Sequence, residues 1–220
     1  MRIDDALLDD VLHTGSSFLR LYRWDPPALS LGRNQPMPGL ERDDIDVVRR
    51  PTGGQAVWHE HEVTYAIAAP VATFGSLRNA YREIHARLAT ALRSLGVDAI
   101  LAPAHPVAGP SGRPAACFAA SVGGEILVND RKLVGSAQVR RGDAFLQHGS
   151  ILLDGSQEIV NAVSHQVSAV SGETTLAAVL GRSVSFAELS AAIIAAWGDV
   201  VGPSARPPVA STGLASVALR

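Results

Sequence analysis

The chain carries the segment RRPTGGQAVWH at residues 49–59, followed closely by EVTY at residues 62–65. Its central PTGG predicts a tight turn, because consecutive glycines let the backbone approach a ligand and direct N–H groups toward it. An arginine at the entrance of such a loop can pair with an anionic group. The segment lacks the Gly-Lys-Ser/Thr of a Walker loop and the G-x-G-x-x-G of a dinucleotide site. Alone, it is compatible with either a hairpin turn or a ligand-binding loop.

Helix and strand patterns surround this segment. Apolar residues at helical spacing predict helices over 4–13, 76–95 and 185–197, the last beginning with the capping-box sequence Ser185–Glu188. Alternating or short apolar runs predict strands at 18–24, 28–31, 46–50, 63–69, 97–101, 125–128, 132–139 and 144–153. Strands joined by short turns, with helices before, between and after them, predict an α/β or α+β fold with a mixed sheet.

The composition predicts one globular domain. The chain has 220 residues, of which 47% are hydrophobic and 18% charged. We assign residues 1–202 to this domain and 203–220, rich in Pro, Ala and Ser, to a flexible C-terminal tail. A net charge of −2 argues against general nucleic-acid binding. One cysteine, no signal-peptide pattern and no membrane-length apolar run lead us to expect a cytoplasmic protein with no membrane partner.

The chain contains a single lysine, Lys132, and a single cysteine, Cys117. Arginine occupies every other strongly basic position, yet guanidinium does not lose its proton in proteins, whereas a desolvated ammonium does. A thiolate is a strong nucleophile. The pair therefore predicts a nucleophile and its activator. The alternative, a lone cysteine that packs as a small hydrophobe, stays open.

Two further patterns indicate a binding pocket. His59 and His61 would share a face on a strand, as metal ligands can, but H-E-x-x-H and a cysteine-rich partner set are absent. We therefore favour hydrogen-bonded histidine at a pocket wall, with no metal. The small residues Gly135–Ala137 leave space beside the sheet for an extended apolar ligand. A close backbone crossing is the alternative for that stretch.

Together these segments resemble the lipoate–protein ligase/octanoyltransferase superfamily, which is related in fold to biotin–protein ligase and class II aminoacyl-tRNA synthetases. The resemblance covers residues 2–200. LRLYRW at 19–24 and LSLGRNQ at 29–35 resemble the opening strands, and residues 49–65 resemble the family signature. RKLVGSAQ at 131–138 resembles the lysine segment, and QHGS at 147–150 a fourth block. The resemblance implies a mixed, largely antiparallel sheet flanked by helices.

Cys117 and Phe118, ahead of Ser121 and Glu125, resemble the octanoyltransferases of the LipM type. ATP-dependent ligases typically have an Asn-Asp pair near this place and an extra C-terminal domain. The amidotransferase branch, which moves octanoate between lipoyl-bearing proteins, also uses a cysteine.

The resemblance implies transfer of octanoate from acyl carrier protein to a lysine of a lipoyl domain through a thioester on Cys117. Glycine cleavage H protein and the E2 subunits of 2-oxoacid dehydrogenases carry such domains, and no cofactor is implied. Lys132 would activate the thiol and accept a proton. Arg49, Arg50, Arg140 and Arg141 would guide acidic partners. The implied substrate-binding residues are Arg50, Thr52, Gly53, Gly54, Gln55, Ala56, Val57, His59, Gly135, Ser136, Ala137, His148 and Gly149.

Two other functions remain open at this point. In an ATP-dependent lipoate ligase with a separate accessory subunit, Arg50 and the Gly53–Gly54 loop would hold an adenylate, and Cys117 would be incidental. A non-catalytic acyl- or carrier-binding module would bind its ligand without forming a covalent adduct.

Overall fold

A six-stranded antiparallel sheet forms the centre of the protein in a computed structural model. The structure describes residues 1–37, 45–102, 124–160 and 172–198, and the backbone of 201–203 and 215–219. The chain begins with α1 (Arg2–Thr14), β1 (Ser17–Tyr22), β2 (Ala28–Leu31), β3 (Asp46–Arg49), β4 (Val57–His59) and β5 (Glu62–Pro70). A 3-10 turn (Val71–Thr73), α2 (Leu77–Ser94), β6 (Ile100–Leu101), β7 (Ile126–Val128) and β8 (Arg131–Lys132) follow. The last elements are β9 (Val134–Arg141), β10 (Ala144–Leu152), α3 (Leu176–Leu180), α4 (Phe186–Trp197), β11 (Val201–Pro203) and β12 (Ala215–Leu219).

The strands of the described residues form three sheets. The central sheet has the order β11-β12-β1-β5-β10-β9, and every neighbouring pair in it is antiparallel. In a second sheet, β2 pairs in parallel with β3 and antiparallel with β4. A third sheet joins β6, β7 and β8 by antiparallel pairs. The predicted mixed, largely antiparallel sheet flanked by helices is confirmed.

Alternation of side chains along the strands gives the central sheet two different faces. On one face, α2 and α4 pack over a large apolar core that includes Tyr65, Ile67 and Phe145. On the other face, α1 packs over β5 and β10, with Leu8 and Leu146 in a smaller apolar cluster. The second face also carries the polar side chains described below, so α1 covers part of the candidate site.

Local sequence signals place the helix ends. Ser76 and Ser185 are N-caps, and their hydroxyls accept hydrogen bonds from the N–H groups of Asn79 and Glu188. The Glu188 carboxylate accepts hydrogen bonds from Arg182 and also a backbone hydrogen bond from Ser185, the reciprocal contact of the predicted capping box. Among the described residues, no helix is long and apolar enough to cross a membrane.

Part of the segment that the sequence analysis assigned to a C-terminal tail forms strands. The backbone of β12 pairs antiparallel with β1, and β11 pairs with β12. These pairings satisfy the N–H and C=O groups that β1 would otherwise expose as an edge strand. The alternating apolar residues at 215–219 are compatible with a strand. The rest of the predicted tail, residues 204–214 and 220, lies outside the described residues.

Candidate active site

A pocket opens on the face of the central sheet that α1 partly covers. Its empty volume is about 340 Å³, a figure that includes the open mouth. Of the predicted substrate-binding residues, those that line it are Arg50, Val57, His59, Gly135, Ser136, Ala137, His148 and Gly149. Four lining residues that the sequence analysis did not select are Met1, Ser30, Thr64 and Ser150. The remaining predicted residues, Thr52, Gly53, Gly54, Gln55 and Ala56, form the loop behind the pocket wall.

Arg50 holds this glycine loop in place. The residue is 5% exposed, and its guanidinium donates hydrogen bonds to the carbonyl oxygens of Ser30, Gly53 and Gln55 at 2.6–3.1 Å. Gly54 has φ +90°, and a Cβ at Gly32 would collide with the Gly54 carbonyl. Glycine at both positions therefore allows the loop to pack against the end of β2, while Arg50 satisfies its carbonyl groups.

His59 lies at the pocket wall with both ring nitrogens engaged. Nδ1 is 2.8 Å from Glu62 Oε1, Nε2 is 2.7 Å from Ser30 Oγ, and the ring stacks on Trp24 at 4.5 Å. In the neutral ring, the nitrogen beside the carboxylate carries the proton, so Nε2 accepts from the Ser30 hydroxyl. His61 is exposed, with 61% of its side-chain surface accessible. His59 is thus a hydrogen-bonded pocket histidine, and His61 does not accompany it into the pocket.

His148 also uses both nitrogens within the protein. Nε2 is 2.7 Å from Thr52 Oγ1, and Nδ1 is 3.3 Å from Asp4 Oδ2. Burial lowers the pKa of His148, and the hydrogen bond to Asp4 offsets this effect only in part. His148 is therefore neutral at pH 7, so its Nδ1–H donates to Asp4 and its Nε2 accepts from Thr52. This residue connects the glycine loop to α1.

Asp4 is a buried carboxylate that belongs to the same network. It accepts hydrogen bonds from Arg20 at 2.5 Å and from the Tyr22 hydroxyl at 2.8 Å. Burial alone would raise the pKa of Asp4, but the bond with His148 and the charge of Arg20 lower it to about 2. The sequence analysis treated this region of α1 only as an amphipathic helix, and no motif marked Asp4. The partners of this acid lie on two strands, Arg20 and Tyr22 on β1 and His148 on β10.

Lys132 lies at the end of β8, just before the pocket strand β9. Only 3% of it is exposed, and its Nζ donates a hydrogen bond to Glu125 Oε1 at 2.6 Å. Its backbone N–H and C=O bond to Gly172 O and Thr174 N. The single lysine is therefore a buried cation paired with a buried carboxylate. Cys117 lies outside the described residues, in the range 103–123.

A chain of buried polar groups runs beneath the pocket floor, on the face of the sheet that α2 and α4 cover. His85 Nδ1 donates to Gly124 O at 2.6 Å, and its Nε2 lies 2.8 Å from Ser136 Oγ. Ser136 Oγ is 2.6 Å from the Tyr65 hydroxyl, which accepts from Gln147 Nε2 at 3.0 Å. Burial lowers the pKa of His85 to about 4, so its Nε2 is an acceptor for the Ser136 hydroxyl.

This buried chain connects Ser136, which lines the pocket, with Gly124, which precedes the lysine's partner Glu125. Sequence reasoning missed His85 and Tyr65. One signal was available, since His85 interrupts the apolar face of the predicted helix between Ile84 and Leu88.

The arginines proposed as docking residues make intramolecular contacts. Arg49 donates to the carbonyl oxygens of Gly32, Arg33 and Gln35. Arg141 bonds to Asp5 and Asp9 of α1 at 2.5–2.6 Å, and Arg140 bonds to Gly142 O and lies 3.5 Å from Asp143. Arg140 and Arg141 are still about half exposed, whereas Arg50 is buried.

Comparison with solved structures identifies the fold as that of lipoate–protein ligases. A lipoate-protein ligase A bound with ATP superposes with a TM-score of 0.64 at 22% identity, covering 88% of this chain and 78% of that chain. A bi-partite lipoate protein ligase from Thermoplasma acidophilum gives 0.62 at 17% identity, covering 89% and 77%. At these identities, the likeness concerns the fold.

Sequence comparison then gives the family. The model described as lipoyl protein ligase A/B catalytic domain matches residues 1–198. The octanoyltransferase LipM of Carboxydothermus hydrogenoformans is 40% identical over 163 residues, which cover 70% of this chain and 60% of that protein. That of Symbiobacterium thermophilum is 36% identical over 211 residues, covering 86% and 76%. The chain belongs to the lipoyl protein ligase A/B catalytic domain family, and it spans about 60% of the first of these relatives.

Proposed function

We propose that the protein is an octanoyltransferase that moves octanoate from octanoyl-acyl carrier protein to a lysine of a lipoyl domain. One observation carries the proposal most directly. The only lysine of the chain is buried, paired with Glu125, and followed at once by the strand that lines the pocket. A buried amine close in sequence to a pocket-lining strand is suited to acid–base chemistry, for which arginine is not. The relatives named octanoyltransferase LipM supply the substrate class.

The acyl chain is proposed to lie in the pocket. The small side chains of Gly135 and Ala137 leave room beside the sheet, and Arg50 together with Val57 and His59 of β4 also lines the pocket. Burying an eight-carbon chain at about 0.8 kcal/mol per methylene contributes several kcal/mol of binding. His59 and His148 shape this pocket rather than exchange protons with the substrate, because each has both nitrogens bonded within the protein.

In the first proposed step, the Cys117 thiolate, paired with the Lys132 ammonium, attacks the carbonyl carbon of the thioester. The bond to the carrier's sulfur breaks, and Lys132 gives its proton to the departing thiolate. The products are free carrier thiol, an octanoyl thioester on Cys117 and a neutral Lys132. One thioester replaces another, so this step requires no ATP.

In the second proposed step, the neutral amine of the acceptor lysine attacks the Cys117 thioester. Lys132 takes the proton that the nitrogen loses, the C–S bond breaks, and the thiolate–ammonium pair is restored. Glu125 holds Nζ in position throughout and favours its return to the charged form. Glycine cleavage H protein and 2-oxoacid dehydrogenase E2 domains are the proposed acceptors.

The test is octanoylation of a purified lipoyl domain, followed by mass spectrometry of that domain. With octanoyl-acyl carrier protein and no ATP, we expect the domain to gain one octanoyl group. Modification that appears only with ATP and free octanoate or lipoate would instead identify a ligase. Ligand binding with no modification under either condition would identify a non-catalytic module.

A further inference from the structure

Ser150 carries an unpaired hydroxyl at the pocket. The residue is 2% exposed and lines the pocket, yet among the described residues its Oγ has no hydrogen-bond partner. The other polar side chains of the wall are bonded within the protein, His59 and His148 at both ring nitrogens. Buried hydroxyls are nearly always paired, because an unpaired one destabilises the folded state. Ser150 therefore has a hydrogen-bonding capacity at the pocket that no described group satisfies.

The neighbours of Ser150 across the sheet leave that hydroxyl without a hydrogen-bond partner. In β5 its partner is Thr64, whose Oγ1 already accepts from Trp24 and donates to Glu62. In β9 its partner is Gly135, which has no side chain to fill the space. Gly135 belongs to the part of β9 next to Lys132, whereas Ala137 pairs with His148 further along the strands. Ser150 thus lies at the lysine end of the pocket.

We propose that Ser150 is a substrate-binding residue whose hydroxyl donates a hydrogen bond to the carbonyl oxygen of the bound acyl group. The identity of that group as octanoyl rests on the proposed function. In this arrangement the alkyl chain extends over Ala137 toward His148, and the carbonyl carbon faces the Lys132 end. The hydroxyl that is unpaired without substrate gains its partner when the acyl group binds.

The test compares Ser150→Ala with Ser190→Ala, because the chain offers an internal control. Ser190, on α4, is also a buried serine whose hydroxyl lacks a partner among the described residues, and it does not line the pocket. The probe is octanamide, which presents the same carbonyl and chain without a charge. Its Kd is measured by calorimetry, the melting temperature by circular dichroism, and octanoyl transfer as above.

We expect Ser150→Ala to weaken octanamide binding about tenfold and to lower kcat/KM for transfer by a similar factor. Its melting temperature should equal or exceed that of the wild type, because the mutation removes an unpaired hydroxyl. Ser190→Ala should keep the wild-type Kd and transfer rate. A loss of binding accompanied by equal or higher stability distinguishes a ligand contact from a structural role.

An unchanged Kd in Ser150→Ala, or a wild type that binds no octanamide, would overturn the inference. If Ser150→Ala transfers octanoate normally and its Kd for octanamide is unchanged, the proposed function is retained but Ser150 is not a substrate contact. Conversely, weakened binding in Ser150→Ala together with a wild type that transfers no octanoyl group would support the ligand contact and refute the transferase.

Discussion

Two ion pairs in this protein have nearly the same burial and geometry, yet only one is suited to chemistry. Arg20 and Asp4 are 2.5 Å apart with side chains 7% and 0% exposed, and Lys132 and Glu125 are 2.6 Å apart with 4% and 3% exposed. Asp4 also accepts bonds from Tyr22 and His148, so the first pair ties α1 to the sheet. The second pair contains the one cation that can release its proton. In the proposed mechanism, the chemistry of the cation rather than its burial gives the second pair its role.

The difference between the two pairs is tested most strongly by replacing the lysine of one pair with arginine and the arginine of the other with lysine. We expect Lys132→Arg to lower octanoyl transfer by at least about 100-fold, because general acid–base catalysis contributes that much or more and guanidinium cannot exchange its proton. The charge is retained, so the loss would not arise from electrostatics alone. Steady-state transfer to a lipoyl domain, with circular dichroism to verify folding, measures the effect.

The matched control is Arg20→Lys in the other pair. It keeps the charge beside Asp4 but loses the stacking of the guanidinium on the Tyr22 ring, 3.7 Å from the ring centroid. We expect a loss of about 1–2 kcal/mol in the free energy of unfolding, with far less effect on transfer than Lys132→Arg. Comparable loss of transfer in the two variants would remove the distinction between the pairs.

Among the substitutions considered for stability, removing the acid of the Arg20–Asp4 pair should have the largest effect. Asp4→Asn leaves Arg20 buried without a counter-charge, which we expect to cost about 3–5 kcal/mol in the free energy of unfolding. Urea denaturation measures this loss. A change below about 1 kcal/mol would show that Asp4 does not hold α1 on the sheet.

The same pair predicts how stability depends on pH. The pKa of Asp4 is lowered from 3.8 to about 2, so its contribution is present above the unfolded-state value and is lost as pH falls toward 2. We expect the wild type to lose about 2–3 kcal/mol through this group between pH 5 and pH 2. Asp4→Asn should lack that part of the pH dependence. Parallel stability curves for the two proteins would contradict the assignment.

The exposed ion pairs of Arg141 should contribute least. Arg141, Asp5 and Asp9 are each about half exposed. We expect Arg141→Ala to cost about 0.2–1 kcal/mol in unfolding free energy, and less at high salt. The KM for octanoyl-acyl carrier protein should not change if these contacts fix α1 rather than dock the carrier. A several-fold increase in KM would restore the docking role.

Much of the fold followed from local sequence patterns. The periodicity of 76–95 predicted α2 within a residue at either end, because its apolar stripe packs on the core and Ser76 caps it. The glycine loop and the small residues of β9 could be predicted because a tight turn and a close approach to the sheet allow only small residues or glycine. The strand β12 was not predicted, because its pairing with β1 joins the two ends of the chain.

The site was predicted less completely, for a related reason. Lys132 stood out by composition, and most of the predicted pocket wall came from the motif blocks. Asp4 as a buried acid, Ser150 as an unpaired hydroxyl and His85 beneath the floor depend on contacts between distant segments, which one sequence does not reveal. Arg50 was expected to meet an anion, but it donates to the loop's own carbonyl groups.

The central claim, acyl transfer through Cys117 with Lys132 as its proton partner, is tested most directly by intact-protein mass spectrometry after incubation with octanoyl-acyl carrier protein and no ATP. We predict that the wild type gains one octanoyl group that hydroxylamine removes, and that Cys117→Ala gains none. An unmodified wild type that still octanoylates a lipoyl domain, or an adduct that persists in Cys117→Ala, would contradict the account.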